Sequence, residues 1–162
     1  MQKAAFAGSF DPPTFGHLDI VERAARLCGE LTVVVADNLQ KQPLFSAEER
    51  AALLRSLVSL PNVTVAVCPP ATLLVDFLKT RNIHNVVRGI RSERDFAYEA
   101  DMARINTRYY PELETIFLPA RPELEVLSSS VVRQLALCHA SISCFVPEAV
   151  AAALHEKISI SL

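Results

Sequence analysis

Short apolar runs alternate with longer amphipathic runs along this chain of 162 residues. The apolar runs predict five strands, at residues 3–8, 31–36, 63–68, 85–87 and 114–118. The amphipathic runs predict helices at residues 17–28, 47–60, 72–78, 93–110, 131–138 and 147–157. Strands that alternate with helices pair in parallel, with the crossover helices on the faces of the sheet. The pattern therefore predicts an α/β fold, a doubly wound five-stranded parallel sheet with helices on both faces.

Residues that start and stop helices support several of these boundaries. Ser46 and Glu49 have the spacing of a capping box, which opens a helix at Ala47. Gly29 is well placed to end the first helix. Pro61 and Pro111 follow the second and fourth helices, where a proline cannot continue the helical pattern.

The joint between the first strand and the first helix, residues 8–17, has the features of an anion site. An apolar run ending at Ala7 leads into it, and an amphipathic helical pattern leads out. The first N–H groups of a helix are unpaired, and the helix dipole adds partial positive charge there. Phosphate binds well at such a place, and His17 adds an imidazole to it.

The candidate functional residues all follow predicted strands. Ligands of open parallel sheets bind at the carboxyl ends of the strands, so these side chains are expected to meet at one rim. They are Ser9 and His17 after the first strand, Lys41 after the second, Leu73 and Leu74 after the third, Arg88 and Arg91 after the fourth, and Ser128, Ser129 and Ser130 after the fifth. A rim with three basic residues and a histidine favours a polyphosphate ligand.

Each of these residues also has a purely structural interpretation when it is taken alone. Lys41 would be an exposed loop lysine, and Leu73 and Leu74 would be core residues. The serines at 128–130 would only cap a helix. Their recurrence at one rim of one predicted sheet favours the functional interpretation.

Length, charge and cysteine spacing limit the classes of protein to which this chain can belong. The length fits one domain, residues 1–162. The net charge is −2, which gives no global attraction to nucleic acid or to an anionic membrane. No apolar run approaches the roughly 20 residues of a membrane span, and no signal peptide is visible, so we expect a cytoplasmic protein. The four cysteines lack metal-site spacing and are expected to be free thiols.

Four motifs resemble those of the phosphopantetheine adenylyltransferase family, within the nucleotidyltransferase superfamily. The first runs from Gly8 to His17 and resembles the T/HxGH motif, which cytidylyltransferases and class I aminoacyl-tRNA synthetases share. The others are more specific in this order: Arg88-Gly89-Ile90-Arg91, then Asp95-Phe96-x-Tyr98-Glu99, then Leu127-Ser128-Ser129-Ser130. The resemblance covers nearly the whole chain and implies a Rossmann-like nucleotidyltransferase domain.

The resemblance also implies a reaction, the penultimate step of bacterial coenzyme A synthesis. ATP and 4′-phosphopantetheine would give dephospho-coenzyme A and pyrophosphate, reversibly and without a covalent intermediate. Mg²⁺ would be the cofactor, held by substrate phosphates rather than by protein side chains. Family members assemble as hexamers, and coenzyme A is the expected feedback inhibitor.

Residue roles follow by position in the motifs. The resemblance implies that His17 stabilises the transition state and that Lys41 and Arg91 are catalytic. The residues implied for ATP are Ser9, Phe10, His17, Gly89, Ile90, Arg91, Glu99, Leu124, Glu125, Val126, Leu127, Ser128, Ser129 and Ser130. Those implied for phosphopantetheine are Ser9, Lys41, Leu73, Leu74 and Arg88.

Two alternatives remain open from the sequence. One is a nicotinate mononucleotide adenylyltransferase or a cytidylyltransferase of the same superfamily. The other is a nucleotide-binding protein without activity on the same fold. The joint presence of His17, Lys41, Arg88 and Arg91 argues against the second alternative.

Overall fold

A parallel sheet of five strands, flanked by helices, forms the framework of the protein. The computed structural model describes residues 2–37, 42–126 and 128–161. The strands are β1 (Lys3–Gly8), β2 (Glu30–Val35), β3 (Val63–Val67), β4 (Asn85–Ile90) and β5 (Glu114–Pro119). The helices are α1 (Phe15–Leu27), α2 (Ala47–Leu57), α3 (Leu74–Thr80), α4 (Glu93–Tyr109), α5 (Ser129–Leu137) and α6 (Glu148–Ser161), with a short 3₁₀ turn at Pro122–Leu124. The predicted Rossmann-like doubly wound fold is confirmed.

The strand order places the central strand at a topological switch point. The sheet reads β3-β2-β1-β4-β5, and every pair is parallel. Phe6 of β1 pairs with Val33 on one side and with Val87 on the other. Because the winding reverses between β1 and β4, a crevice opens beyond the carboxyl ends of these two strands.

Two core clusters cover the two faces of the sheet. Side chains alternate along β1, so Phe6 joins a cluster with residues of α1 and α2, whereas Ala5 and Ala7 join a cluster with residues of α3. A third cluster joins α5 and α6 to Phe45, which precedes α2. Asp11, just beyond the end of β1, contacts both α5 and the segment before α2, so both lie at the carboxyl end of the sheet.

Several predicted boundaries shift in the structure. The capping box is confirmed, since the Ser46 hydroxyl accepts from the Glu49 N–H and the Glu49 carboxylate accepts from the Ser46 N–H. Helix α2 ends at Leu57, three residues before the predicted end. Strand β4 continues to Ile90, so Arg88 lies within the strand rather than after it. Its pairing with β5 runs through all six residues, which the short apolar run did not indicate.

Helix α4 lies on the surface and has no fully buried residue. It nevertheless carries large exposed apolar side chains, among them Phe96, Tyr98, Ile105 and Tyr109. Within the described residues, no helix has the length and hydropathy required to cross a bilayer.

Candidate active site

His17 is fixed in one orientation at the start of α1. Thr14 is the N-cap of this helix, and His17 occupies the third helical position of a reciprocal capping box. The Thr14 N–H donates to Nδ1 of His17 over 3.0 Å, and the Thr14 hydroxyl lies 3.1 Å from the same nitrogen. Because Nδ1 accepts a main-chain N–H, the neutral ring carries its proton on Nε2. His17 therefore presents an N–H donor on the side away from its cap.

The surroundings of His17 keep this ring neutral. Burial, and then the positive charge of Arg91, lower the pKa of His17 from 6.5 to about 4. The ring also stacks edge-on against Phe10, with ring centroids 5.0 Å apart. A neutral imidazole at pH 7 serves as a hydrogen-bond donor without a charge of its own.

This lowered pKa predicts an acid-sensitive contribution to stability. Between about pH 4 and pH 6.5 the unfolded chain binds a proton at His17 that the folded chain does not, so stability falls as the pH falls through this window. From pH 7 to pH 4, the unfolding free energy of the wild-type protein should fall by about 3 kcal/mol more than that of the His17→Gln variant. Urea unfolding of both proteins across this range measures the difference. Parallel pH profiles would contradict the assignment.

The turn between β1 and α1 buries the ring of Phe10 and exposes Ser9. Phe10 is 0% exposed and packs under the turn against Phe6, with ring centroids 5.4 Å apart. A Cβ at Gly8 would lie 3.1 Å from the Phe10 ring, which explains the small residue there. The ring of Phe10 therefore cannot meet a ligand in the crevice. The φ of 50° at Phe10 is one that side-chain-bearing residues rarely adopt.

Asp11 ties the same turn to two distant segments. Its carboxylate accepts from the N–H groups of Leu44 and Phe45, both over 2.9 Å. It also accepts from Arg133 of α5 over 2.5 Å. The carboxylate is buried, so these three bonds offset its loss of hydration.

Replacing Asp11 by asparagine is expected to destabilise the fold. An amide oxygen cannot satisfy both N–H groups and Arg133, and the guanidinium would lose its counter-charge. We expect a loss of about 3 kcal/mol in unfolding free energy, measured by urea denaturation at pH 7. Asp101→Asn is the matched control, since Asp101 forms an exposed ion pair with Arg104, and it should change stability by less than about 0.5 kcal/mol. Equal effects of the two substitutions would contradict this role of Asp11.

The start of α5 lies against the same turn. Ser128 is the N-cap of α5, and its hydroxyl accepts from the Val131 N–H. The Ser129 hydroxyl donates to the Pro12 carbonyl over 2.8 Å, while Ser130 is exposed. The amino ends of two helices, α1 and α5, therefore flank one turn, which is a favourable arrangement for a polyanion.

Arg88 lies at the switch point, between β1 and α4. Its Nε and Nη2 donate to the two carboxylate oxygens of Glu99, over 2.7 and 2.5 Å, and its Nη1 donates to the Ala7 carbonyl over 2.6 Å. Within the described part of the chain, these bonds use three of the five guanidinium N–H groups. The other two remain for a phosphate, and the fork is held rigidly by Glu99.

A groove of about 380 Å³ adjoins this arginine. Its wall includes Arg88 and Glu99 together with apolar side chains from α4 and from the start of α3, among them Leu73, Leu74, Met102 and Tyr109. Leu73 is 55% exposed, so the interpretation of Leu73 as a core residue is wrong. The groove combines an anion-binding group with an apolar channel.

Comparisons with known proteins agree with this geometry. A family model described as cytidylyltransferase-like matches residues 5–135. The phosphopantetheine adenylyltransferase of Dictyoglomus turgidum is 44% identical over 161 residues, which cover 99% of both chains. That of Actinobacillus pleuropneumoniae is 46% identical over 153 residues, covering 94% of this chain and 96% of the relative. The chain belongs to the phosphopantetheine adenylyltransferase family.

A solved structure supports the fold independently. A Vibrio parahaemolyticus protein assigned as a nicotinate-nucleotide adenylyltransferase superposes with a TM-score of 0.70 over 98% of this chain and 95% of that one. The two sequences are only 17% identical, so the likeness concerns the fold. Membership of the phosphopantetheine adenylyltransferase family makes the chain a nucleotidyltransferase and argues against the alternative of an inactive binding protein.

The structure brings together many of the residues expected for a phosphopantetheine adenylyltransferase. Arg91 lies close enough to His17 for its charge to act on the ring, and its Nε also donates to Asp95 over 2.8 Å. Gly89 and Ile90 lie in β4, beyond Arg88. Leu124 and Glu125 lie in or beside the 3₁₀ turn, and Val126 is 76% exposed. Lys41 and Leu127 lie outside the described residues.

Three charged residues support the site through contacts that the sequence does not indicate. Arg50 of α2 follows two glutamates and has the pattern of a solvated helix face, yet it is 1% exposed. Asp11 and Arg133 are 122 positions apart and form an ion pair across the site. Asp11 lies within the first motif, but nothing in the sequence indicates its pairing with Arg133.

Proposed function

We propose that this chain transfers the adenylyl group of ATP to 4′-phosphopantetheine, giving dephospho-coenzyme A and pyrophosphate. Relatives along nearly the full chain carry the name of that activity. The observation that carries the acceptor assignment is the groove beside Arg88. An apolar channel with a rigidly held guanidinium in its wall suits a ligand that has a phosphate on a long uncharged arm.

For this reaction the protein must align the two substrates and neutralise the charge of their phosphates. An oxygen of the acceptor phosphate attacks the α-phosphorus of ATP, a new P–O bond forms, and the bond to the β-phosphate breaks as pyrophosphate leaves. The acceptor phosphate is already anionic, so it needs no general base. The barrier lies in bringing two polyanions together in line, which fixed cationic and N–H groups lower.

Arg88 and His17 fit the two halves of this task. We assign Arg88, oriented by Glu99, to the acceptor phosphate, because two of its N–H groups form no hydrogen bond with the described residues. We assign His17 to the ATP phosphates, where its Nε2–H donates to an oxygen on which charge grows. A neutral donor stabilises growing charge more selectively than a permanent cation, which binds the ground state as well.

The remaining ATP contacts come from the elements around the turn. Ser9 is exposed in the turn, and Ser128, Ser129 and Ser130 begin α5 beside it. We assign the contact of Phe10 with ATP to its main chain, because its ring is buried. Arg91 and segment 124–126 extend the surface for the rest of the nucleotide. We retain Lys41 as a ligand of the acceptor phosphate and Leu127 as an adenine contact, both from the family motif.

We propose that Mg²⁺ binds to this protein together with ATP. We expect ATP phosphates and water to hold Mg²⁺, whose hydration shell is given up reluctantly. Among the described residues, no cluster of His, Cys, Asp and Glu side chains is arranged to hold a metal. The bound ion would supply additional neutralisation of the leaving pyrophosphate.

We also propose that the chain acts as one cytoplasmic domain within a homohexamer. Phe96 of α4, an exposed apolar side chain that does not line the groove, supports assembly, since a partner could cover it. Coenzyme A is the proposed feedback inhibitor, because its pantetheine arm suits the same groove. Light scattering with and without coenzyme A measures the assembly state.

Pyrophosphate release tests the proposed function directly. Purified protein with ATP, Mg²⁺ and phosphopantetheine should release pyrophosphate and form dephospho-coenzyme A. Nicotinate mononucleotide in place of the acceptor, or CTP in place of ATP, should give no more than background. Release with nicotinate mononucleotide but not with phosphopantetheine would overturn the proposal.

A further inference from the structure

Arg50 is a charged residue buried beneath the nucleotide turn, and the proposed reaction gives it no role. It lies in α2 and is 1% exposed. Its Nε donates to the carbonyls of Phe45 and Ser46, over 3.0 and 3.2 Å. Its Nη2 pairs with the carboxylate of Asp37, and its Nη1 donates to the Ser9 carbonyl over 2.8 Å. A buried cation with this many partners is held rigidly in place.

The bond to Ser9 fixes the orientation of one peptide group. The Ser9 carbonyl belongs to the peptide that joins Ser9 to Phe10, and this peptide is trans. In a trans peptide, the carbonyl and the N–H point in opposite directions. By holding the Ser9 carbonyl toward α2, Arg50 turns the Phe10 N–H away from α2.

The Phe10 N–H is left without a protein partner by this arrangement. Within the described part of the chain, it forms no hydrogen bond. The Phe10 ring is buried in the core, and Arg50 holds the preceding carbonyl. These two contacts maintain the uncommon φ of 50° at Phe10. An unsatisfied main-chain donor at a polyanion site is itself suited to a phosphate oxygen.

We propose that Arg50 is a positioning residue for adenylyl transfer: its guanidinium holds the Ser9–Phe10 peptide so that the Phe10 N–H points at the phosphates of ATP. The inference rests on the proposed function and extends it to a residue that does not touch substrate. It also explains how Phe10, whose ring is inaccessible, can belong to an ATP site. Arg50 then determines the alignment of the donor rather than the affinity for ATP.

Arg50→Lys tests this role while keeping a positive charge beside Asp37. Lysine cannot reach Ser9, Phe45 and Asp37 at once, because it lacks the planar fork. We expect kcat to fall by about 30-fold, since small misalignments at a reacting centre carry large costs. The KM values for ATP and phosphopantetheine should each change by less than about threefold, because the N–H acts mainly where charge grows. Arg55→Lys, at an exposed position of the same helix, is the control and should match wild-type.

A spectroscopic measurement addresses the peptide itself. In protein labelled with ¹⁵N-phenylalanine, the Phe10 amide proton of the wild-type chain should move downfield when a non-hydrolysable ATP analogue and Mg²⁺ bind. In Arg50→Lys the movement should be smaller at saturation. A Phe10→Leu variant assigns the resonance among the eight phenylalanines.

The outcomes separate this inference from the function on which it rests. A wild-type chain without pyrophosphate release would overturn the function and the inference together. If the wild-type protein is active and a folded Arg50→Lys variant has a kcat within threefold of the wild-type value, only the inference about Arg50 is overturned. If Arg50→Lys does not fold, the test is the chemical shift of the Phe10 amide proton in the wild-type protein. A shift that does not change when the ATP analogue binds would overturn the inference.

Discussion

Replacing His17 by glutamine is expected to lower kcat by about a thousandfold, equivalent to about 4 kcal/mol of transition-state stabilisation. The ring presents a neutral Nε2–H because Nδ1 accepts the Thr14 N–H and because burial keeps the pKa near 4. Such a donor acts where charge grows during the reaction and contributes less to the bound ground state. The KM for ATP should therefore change by less than about threefold. Steady-state kinetics with pyrophosphate detection measure both constants.

The choice of glutamine separates catalysis from structure. Glutamine at the third helical position can accept the Thr14 N–H and so maintain the capping box, whereas alanine cannot. We expect His17→Gln and His17→Ala to be similarly inactive but to differ in thermal stability. If His17→Gln kept most of the activity, the ring would serve only to cap α1. A fall in ATP affinity as steep as the fall in turnover would assign His17 to ground-state binding instead.

Replacing Arg88 by alanine is expected to raise the KM for phosphopantetheine by about a hundredfold and to alter the KM for ATP much less. A charge-assisted pair between guanidinium and phosphate contributes on the order of 2–3 kcal/mol, which corresponds to this factor. The substitution also leaves Glu99 without its partner, and this carboxylate would repel the acceptor phosphate. The double variant Arg88→Ala with Glu99→Gln should therefore recover part of the loss.

Pantetheine without its phosphate provides a matched control for the ligand. It should inhibit competitively by occupying the apolar groove, and its inhibition constant should be nearly the same for wild-type and Arg88→Ala proteins. Phosphopantetheine binding should differ strongly between the two. If ATP binding suffered more than phosphopantetheine binding, the two subsites would have to be exchanged.

Local patterns predicted the elements of this fold well. The β-branched runs and the capping box at Ser46 act over a few residues, so the sequence displays them directly. The boundaries were less accurate where distant pairing decides them. Strand β4 extends through Arg88 and Gly89 because β5 pairs with it along its whole length, and no short apolar run can indicate that.

The candidate site was predictable as a set of residues but not as a set of contacts. His17, Arg88 and Glu99 all lie in motifs, yet the sequence did not show that Glu99 binds Arg88 on both carboxylate oxygens. Phe10 was expected to contact ATP, and only the structure shows that its ring is buried and cannot provide the contact. Arg50 was missed because burial of a charged residue depends on partners that are distant in sequence. Such information resides in tertiary packing rather than in periodicity.

The turn between β1 and α1 has a consequence for the order in which the protein is completed. The hydrogen-bond partners of Asp11 are Leu44, Phe45 and Arg133, which follow it by 33, 34 and 122 positions. The partner of the Pro12 carbonyl is Ser129, which follows it by 117 positions. A chain that emerges from a ribosome makes this turn first and obtains its last supports only when α5 has been synthesised. This turn is thus translated before all of these partners and acquires its native contacts only after them. A nascent chain stalled before α5 should hold much of its sheet and still lack a finished site for ATP.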